Sequence, residues 1–230
     1  INPSYETARA HKLFLEANIC DWKSIKEDNQ FIPQLGTLNK AVSPFAMLIL
    51  EDAPERHRIR SEVYAKEQYF DRYLSLPVIQ SNIKKRIRIG YFSADFHNHA
   101  TMYLIAKVFE AHDKEKFEIF VYSYGPEKKD KMRYRLMDSV DVFNDVREMS
   151  DKDIALLARK DKLHCAIDLK GYTQNQRLGI FSYRPAPIQI SYLGYPGTTG
   201  TNFIDYIVAD PIVIPEVNQI HYSEKIIYLP

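Results

Sequence analysis

Apolar positions recur in two different rhythms along this chain, and the change comes near residue 80. Before it the spacing is helical. Tyr5 to Asn18 carries Ala8, Leu13, Phe14 and Ala17 near helical intervals, which predicts a first helix. A stronger pattern begins at Pro54, where a first-turn proline is tolerated, with Asp52 upstream as the expected cap. From there Ile59, Val63, Phe70, Tyr73 and Leu74 recur near a 3.6 period with Arg, Lys and Glu between them, the stripe of an amphipathic helix. Pro33, Gly36 and Pro44 punctuate loops between these helices. Phe45 to Leu50 is apolar and predicts a short buried helix. Trp22 reads as a packing anchor between helices. The stretch over 77–83 reads as a connection.

After it, short β-rich runs alternate with helical ones. Strands are predicted at Ile87 to Phe92, Phe117 to Tyr122, Val140 to Phe143, Ala166 to Leu169, Ile188 to Leu193, Asp205 to Val208 and Ile226 to Tyr228. Helices are predicted at Met102 to His112, around Lys129 to Asp138, and at Asp151 to Arg159 behind a Ser150/Asp151 cap. Strands alternating with helices require crossover connections, hence a mostly parallel sheet in an α/β fold. Residues 1–80 therefore form a helical region and 81–230 an α/β domain.

Composition narrows the function classes. Net charge is +1 from 31 basic and 30 acidic side chains, which argues against electrostatic capture of nucleic acid or an anionic membrane surface. No apolar run is long enough to span a bilayer as a helix. The two cysteines, Cys20 and Cys165, lie far apart and outside any CxxC pair, so a reducing, cytoplasmic setting is expected. Cys165, beside an apolar strand, reads as a small buried residue. The chain begins at Ile1 and stops just after an apolar run, so further sequence is expected at both ends.

In an open parallel sheet, ligands bind beyond the carboxyl ends of the strands. Three segments there can carry chemistry. Ser93-Ala94-Asp95-Phe96-His97-Asn98-His99 follows the first strand. A histidine at that place can serve as a general base or steady a phosphate or sugar hydroxyl. The competing reading is that Asp95 and Asn98 cap the next helix and the histidines are merely exposed. Asp168-Leu169-Lys170-Gly171-Tyr172-Thr173 follows another strand, with a glycine for a tight bend, a cation and a hydroxyl, and an ordinary turn is its competing reading. Leu193 to Gly200 holds three glycines and a proline, so its bare backbone can present N–H groups to oxygen atoms. Arg184-Pro185-Ala186-Pro187, just upstream, is stiff and reads as aiming the next strand.

The same residues carry a family resemblance. Arg88-Ile89-Gly90-Tyr91-Phe92-Ser93-Ala94-Asp95-Phe96-His97-Asn98-His99 resembles an R-x-G-Y-x-S-x-D-F-x-x-H segment. Gly171-Tyr172-Thr173, Arg184-Pro185-Ala186-Pro187-Ile188-Gln189 and Leu193-Gly194-Tyr195-Pro196-Gly197-Thr198 follow in the order of a G-Y-T, R-P-A-P-x-Q, L-G-Y-P-G-T run. Asp205-Tyr206-Ile207 and Tyr222-Ser223-Glu224-Lys225 continue it. Over roughly residues 86 to 230 the chain is similar to the O-GlcNAc transferase and SPINDLY family of tetratricopeptide-linked glycosyltransferases, and upstream Cys20-Asp21-Trp22 and Ser43-Pro44-Phe45-Ala46 more loosely resemble its bacterial members.

That resemblance implies the Rossmann-like N-terminal lobe of a GT-B fold, with the preceding helices joining an upstream repeat array. It implies inverting transfer of a sugar from a nucleotide-sugar, typically UDP-GlcNAc, to Ser or Thr hydroxyls of protein acceptors, without cofactor or metal. A fucosyl donor, as in plant SPINDLY members, is an alternative, as are a non-catalytic scaffolding module and an unrelated Rossmann-like transferase. His99 falls on the family's active-site histidine, and Thr173, Gly194 and Pro196 fall on segments lining its sugar pocket. His97 and Ala100 depart from the family pattern, standing where a smaller residue and a proline are usual. The donor-binding C-terminal lobe would lie beyond Pro230, so this chain alone is expected to be inactive.

Overall fold

A computed structural model of the chain describes residues 5–38, 40–69 and 86–230. The expected stripe positions Phe70, Tyr73 and Leu74, and the connection over 77–83, lie outside the described residues. The chain divides into two compact units, Ile1–Phe70 with Pro196–Asn202 and Asp210–Pro230, and Asp71–Tyr195 with Phe203–Ala209. Among the described residues no helix is long and apolar enough to cross a membrane.

The first unit holds α1 (Glu6–Asn18), α2 (Trp22–Asp28), α3 (Pro44–Met47) and α4 (Pro54–Tyr69). A short 3-10 helix, Asn29–Gln34, contains Pro33, so the loop expected there is a helical turn. Leu13 and Ala17 of α1 pack with Ala10, Ile25, Ile32, Leu35, Val42 and Met47, whereas Ala8 is exposed. Trp22 is 59% exposed, so it does not anchor the helices as expected. It opens α2 behind Asp21, whose carboxylate accepts from the Ser24 N–H at 3.1 Å.

The buried face of α4 is Arg60, Ser61, Ala65 and Tyr69, while Ile59 and Val63 are only partly buried. Arg60 has no exposed surface. Its Nε and Nη2 donate to the Leu35 and Ile32 carbonyls, each at 2.7 Å, and Nη1 pairs with Glu51. A guanidinium satisfied by carbonyls and a carboxylate can be buried where an apolar stripe would be expected. In the same unit Gly200 adopts φ +63° and lies so close to α4 that a Cβ would sit 2.4 Å from the Glu62 nitrogen. This unit also contains the strand β7 (Lys225–Tyr228).

The second unit contains β1 (Ile87–Ser93), α5 (Ala100–Ala111), β2 (Phe117–Ser123), α6 (Lys131–Ser139), β3 (Val142–Asp145), α7 (Asp151–Lys160), β4 (Cys165–Asp168), α8 (Gly179–Ser182), β5 (Ile188–Tyr192) and β6 (Tyr206–Ala209). These six strands lie in the order β3-β2-β1-β4-β5-β6, and the pairings between them are parallel. The expected α/β, mostly parallel sheet is thus present. The order reverses at β1, which lies between β2 and β4.

Strand alternation sends neighbours of β1 to opposite faces. Tyr91 joins Phe96, Met102, Ile105, Phe109, Met132 and Leu136 beneath α5 and α6. Phe92 stacks on Tyr122 with ring centres 4.4 Å apart and meets Phe181 edge-on at 5.2 Å. Burying each such side chain contributes about 1.5–3 kcal/mol. Ser150 caps α7 as expected, accepting from the Asp153 N–H at 3.2 Å. Cys165 packs against the core, and burial pushes its thiol up to about 12.

Candidate active site

β1, β4 and β5 are neighbours, and the parallel register brings their carboxyl ends to one edge. The loops leaving them are the three segments singled out in the sequence.

The loop after β1 ends in His99, the N-cap of α5, on extended backbone with φ −146° and ψ 154°. Its Nδ1 accepts from the Thr101 N–H at 3.2 Å, satisfying one of the orphan donors of the helix start. The cap is therefore the histidine itself, not Asp95 or Asn98. The His99 side chain is 42% exposed. Asn98 accepts from the Tyr103 hydroxyl, and its own N–H donates to Asp130, the cap of α6, at 2.8 Å. His97 is buried rather than exposed, with its ring centre 5.7 Å from that of His99. Burial, aided by Lys128, holds the His97 imidazole below its ordinary value.

Asp95 is buried, and its carboxylate accepts from Lys170 Nζ at 2.6 Å. Lys170 is buried as well, so this ion pair ties the loop after β1 to the loop after β4. The same Asp95 oxygen lies 3.6 Å from His99 Nδ1. Asp95 and Lys170 come from loops 75 positions apart in sequence, and only the adjacency of β1 and β4 brings them together.

The loop after β4 is organised by Asp168, whose two oxygens accept from the N–H groups of Lys170 at 3.1 Å and Gly171 at 2.7 Å. Burial pushes this carboxyl up to about 7, opposed by those two N–H groups. Gly171 takes φ +51°, a left-handed conformation that favours glycine. Thr173 is partly exposed, and its hydroxyl donates to the Lys170 carbonyl at 2.8 Å.

The loop after β5 presses against the loop after β4 by its backbone. A Cβ on Gly194 would lie 2.0 Å from the Leu169 carbonyl oxygen. Tyr195 packs edge-on against Tyr172 with ring centres 5.5 Å apart. His99, Thr173 and Gly194 are thus carried by three loops joined at one sheet edge. Pro196 opens the segment assigned to the first unit, where its carbonyl accepts from the Tyr222 hydroxyl at 2.8 Å. There the buried Glu224 carboxylate accepts from Thr198 Oγ1 at 2.6 Å and the Thr199 N–H at 2.7 Å.

The remaining motif residues are structural. Arg184 donates to both oxygens of Asp205, at 2.8 and 2.7 Å, and to the Phe203 and Pro187 carbonyls. Asp205 in turn accepts from the Gln189 N–H at the start of β5. The stiff Arg184–Pro187 segment therefore aims β5, as its composition implied. Sequence reasoning noted Lys170 only as a cation and Asp95 only as a cap. A charged residue flanking the carboxyl end of a buried strand is the available signal that each needs a buried partner.

The family model described as glycosyl transferase family 41 matches residues 64–230. A probable UDP-N-acetylglucosamine–peptide N-acetylglucosaminyltransferase, SEC, of Arabidopsis thaliana is 43% identical over 155 residues, covering 67% of this chain and 16% of that protein. The UDP-N-acetylglucosamine–peptide N-acetylglucosaminyltransferase of Caenorhabditis elegans is 37% identical, covering 64% and 13%. A solved mutant O-GlcNAc transferase of Thermobaculum terrenum superposes with a TM-score of 0.74 at 29% identity, covering 81% of this chain and 37% of that one. The chain thus spans less than a fifth of the length of these curated relatives. With the motif segments following β1, β4 and β5 in order, and the family model covering most of its residues, the chain belongs to glycosyl transferase family 41.

Proposed function

We propose that this chain is the acceptor-side part of a protein O-glycosyltransferase that uses UDP-GlcNAc and modifies Ser or Thr hydroxyls of other proteins. The observation that carries this reading is the joining of three loops at one sheet edge, with a partly exposed, helix-capping histidine at position 99. The transferase names of the relatives support the choice of sugar and acceptor. In the reaction the acceptor oxygen bonds to the anomeric carbon with inversion, the bond from that carbon to the diphosphate breaks, uridine diphosphate departs with that bonding pair, and the hydroxyl proton is released to solvent. His99 contacts the acceptor side, while Thr173 and Gly194 line the sugar. The leaving diphosphate needs electrostatic stabilisation, which this reading assigns to a second lobe outside these residues. An upstream tetratricopeptide array would present the protein acceptor. Both cysteines are free thiols, in keeping with a cytoplasmic setting.

The test is mass spectrometry of a Ser/Thr-containing peptide library incubated with the full-length protein. UDP-GlcNAc should add N-acetylhexosamine to hydroxyl side chains, and GDP-fucose should add nothing. Modification from GDP-fucose alone overturns the choice of sugar, and no modification from either donor overturns the transferase reading.

A further inference from the structure

The buried pair Lys170–Asp95 has a second neighbour. Asp95 Oδ2 is 2.6 Å from Lys170 Nζ and 3.6 Å from His99 Nδ1. One carboxylate oxygen therefore stands between an ammonium it binds and an imidazole it nearly reaches. That imidazole nitrogen is already the acceptor for the Thr101 N–H at the start of α5. A ring nitrogen that accepts a hydrogen bond from a backbone N–H carries no proton, so the proton of the neutral ring sits on Nε2.

We propose that Lys170 is a positioning residue that acts on His99 through Asp95. By binding the carboxylate it leaves His99 Nδ1 to the helix N-terminus, and the neutral imidazole is fixed with its proton on Nε2. This inference rests on the placing of His99 at the acceptor side in the reading above, and it deepens that reading. In this tautomer His99 is a hydrogen-bond donor at Nε2, to the acceptor or to the sugar, and not the base that takes the hydroxyl proton. A base at Nε2 would need the proton on Nδ1, where it would meet the Thr101 N–H head-on.

Asp95 and His97 face His99 from its own loop, and Lys170 reaches Asp95 from the loop after β4. Lys128 and Asp130, from the segment before α6, act on the neighbouring His97. Asp130 binds the Asn98 N–H, and Lys170 binds Asp95. Losing Lys170 would leave a buried, uncompensated carboxylate beside Nδ1. A buried charge without its partner is strongly unfavourable, and the imidazole would take up a proton to supply one.

The test is nitrogen-15 NMR of histidine-labelled full-length protein, with the His99 signals assigned by His99→Gln. In the unsubstituted protein at neutral pH, Nδ1 should show the shift of an unprotonated ring nitrogen and Nε2 that of a protonated one. A proton on Nδ1 overturns the proposal without any variant. In Lys170→Met, the proton affinity of His99 should rise at least about tenfold, as expected for an opposite charge at this distance. Lys170→Met/Asp95→Asn, which removes both charges, should restore the original tautomer and affinity. An unchanged His99 in a folded Lys170→Met protein also overturns it. Should Lys170→Met fail to fold, the tautomer in the unsubstituted protein still decides. Loss of the transferase reading would appear as absent sugar transfer with these histidine signals intact, so the two failures are distinguishable.

Discussion

Gly171 and Tyr195 occupy one space: a Cβ built on Gly171 would lie 2.3 Å from the Tyr195 Cβ. The left-handed backbone at Gly171, set by Asp168, lets the loop after β5 close onto the loop after β4. Gly171→Ala adds both a strained φ and a clash with a buried side chain. It should destabilise the protein by about 2–4 kcal/mol, read by chemical denaturation. A loss below about 0.5 kcal/mol would show that the loops are not held this closely.

Asp168 makes stability depend on pH. Its carboxyl is raised from 3.8 to about 7 by burial. A group whose folded value lies above its unfolded one binds more protons in the native state. Its contribution is fully present below 3.8 and is lost as pH rises towards 7. Denaturation midpoints of the unsubstituted protein should therefore fall relative to those of Asp168→Asn across that window. A difference that stays flat with pH contradicts the assignment.

Gln189 is a buried clasp in β5. Its amide nitrogen donates to the Phe181 carbonyl at 3.0 Å and the Phe203 carbonyl at 2.6 Å. Gln189→Leu keeps the bulk and removes both donors. The Phe203 carbonyl keeps Arg184 Nη1 and the Phe181 carbonyl keeps the Arg184 N–H, so the loss is of two buried hydrogen bonds and should cost about 1–3 kcal/mol, measured as a lower midpoint in urea with an unchanged slope.

Much of this architecture could be read from residue patterns. The strands of the second unit are short apolar runs between crossover helices, and each was recognisable to within a few residues. The three site loops were legible because parallel strands place their carboxyl ends together. The helices were harder. Among its residues α2 buries only Ile25, so no periodic stripe announces it. In α4 the buried face is led by Arg60, a residue that periodicity assigns to solvent, because its carbonyl partners at Ile32 and Leu35 lie far off in sequence. The same holds for Asp95 and Lys170: each charge is visible, but their meeting depends on strand order. His99 escaped notice as a helix cap because Ser, Thr, Asp and Asn usually fill that position.

The central claim is that the loop edge bearing His99 belongs to the working site of a sugar transferase. The most direct measurement is the rate of labelled N-acetylglucosamine transfer from UDP-GlcNAc to a protein acceptor by the full-length protein and by its His99→Ala variant. The rate should fall by about a hundredfold or more, with the protein still folded by thermal melting and its midpoint lowered only as loss of the α5 cap requires. Near-normal turnover in a folded His99→Ala protein would contradict the account.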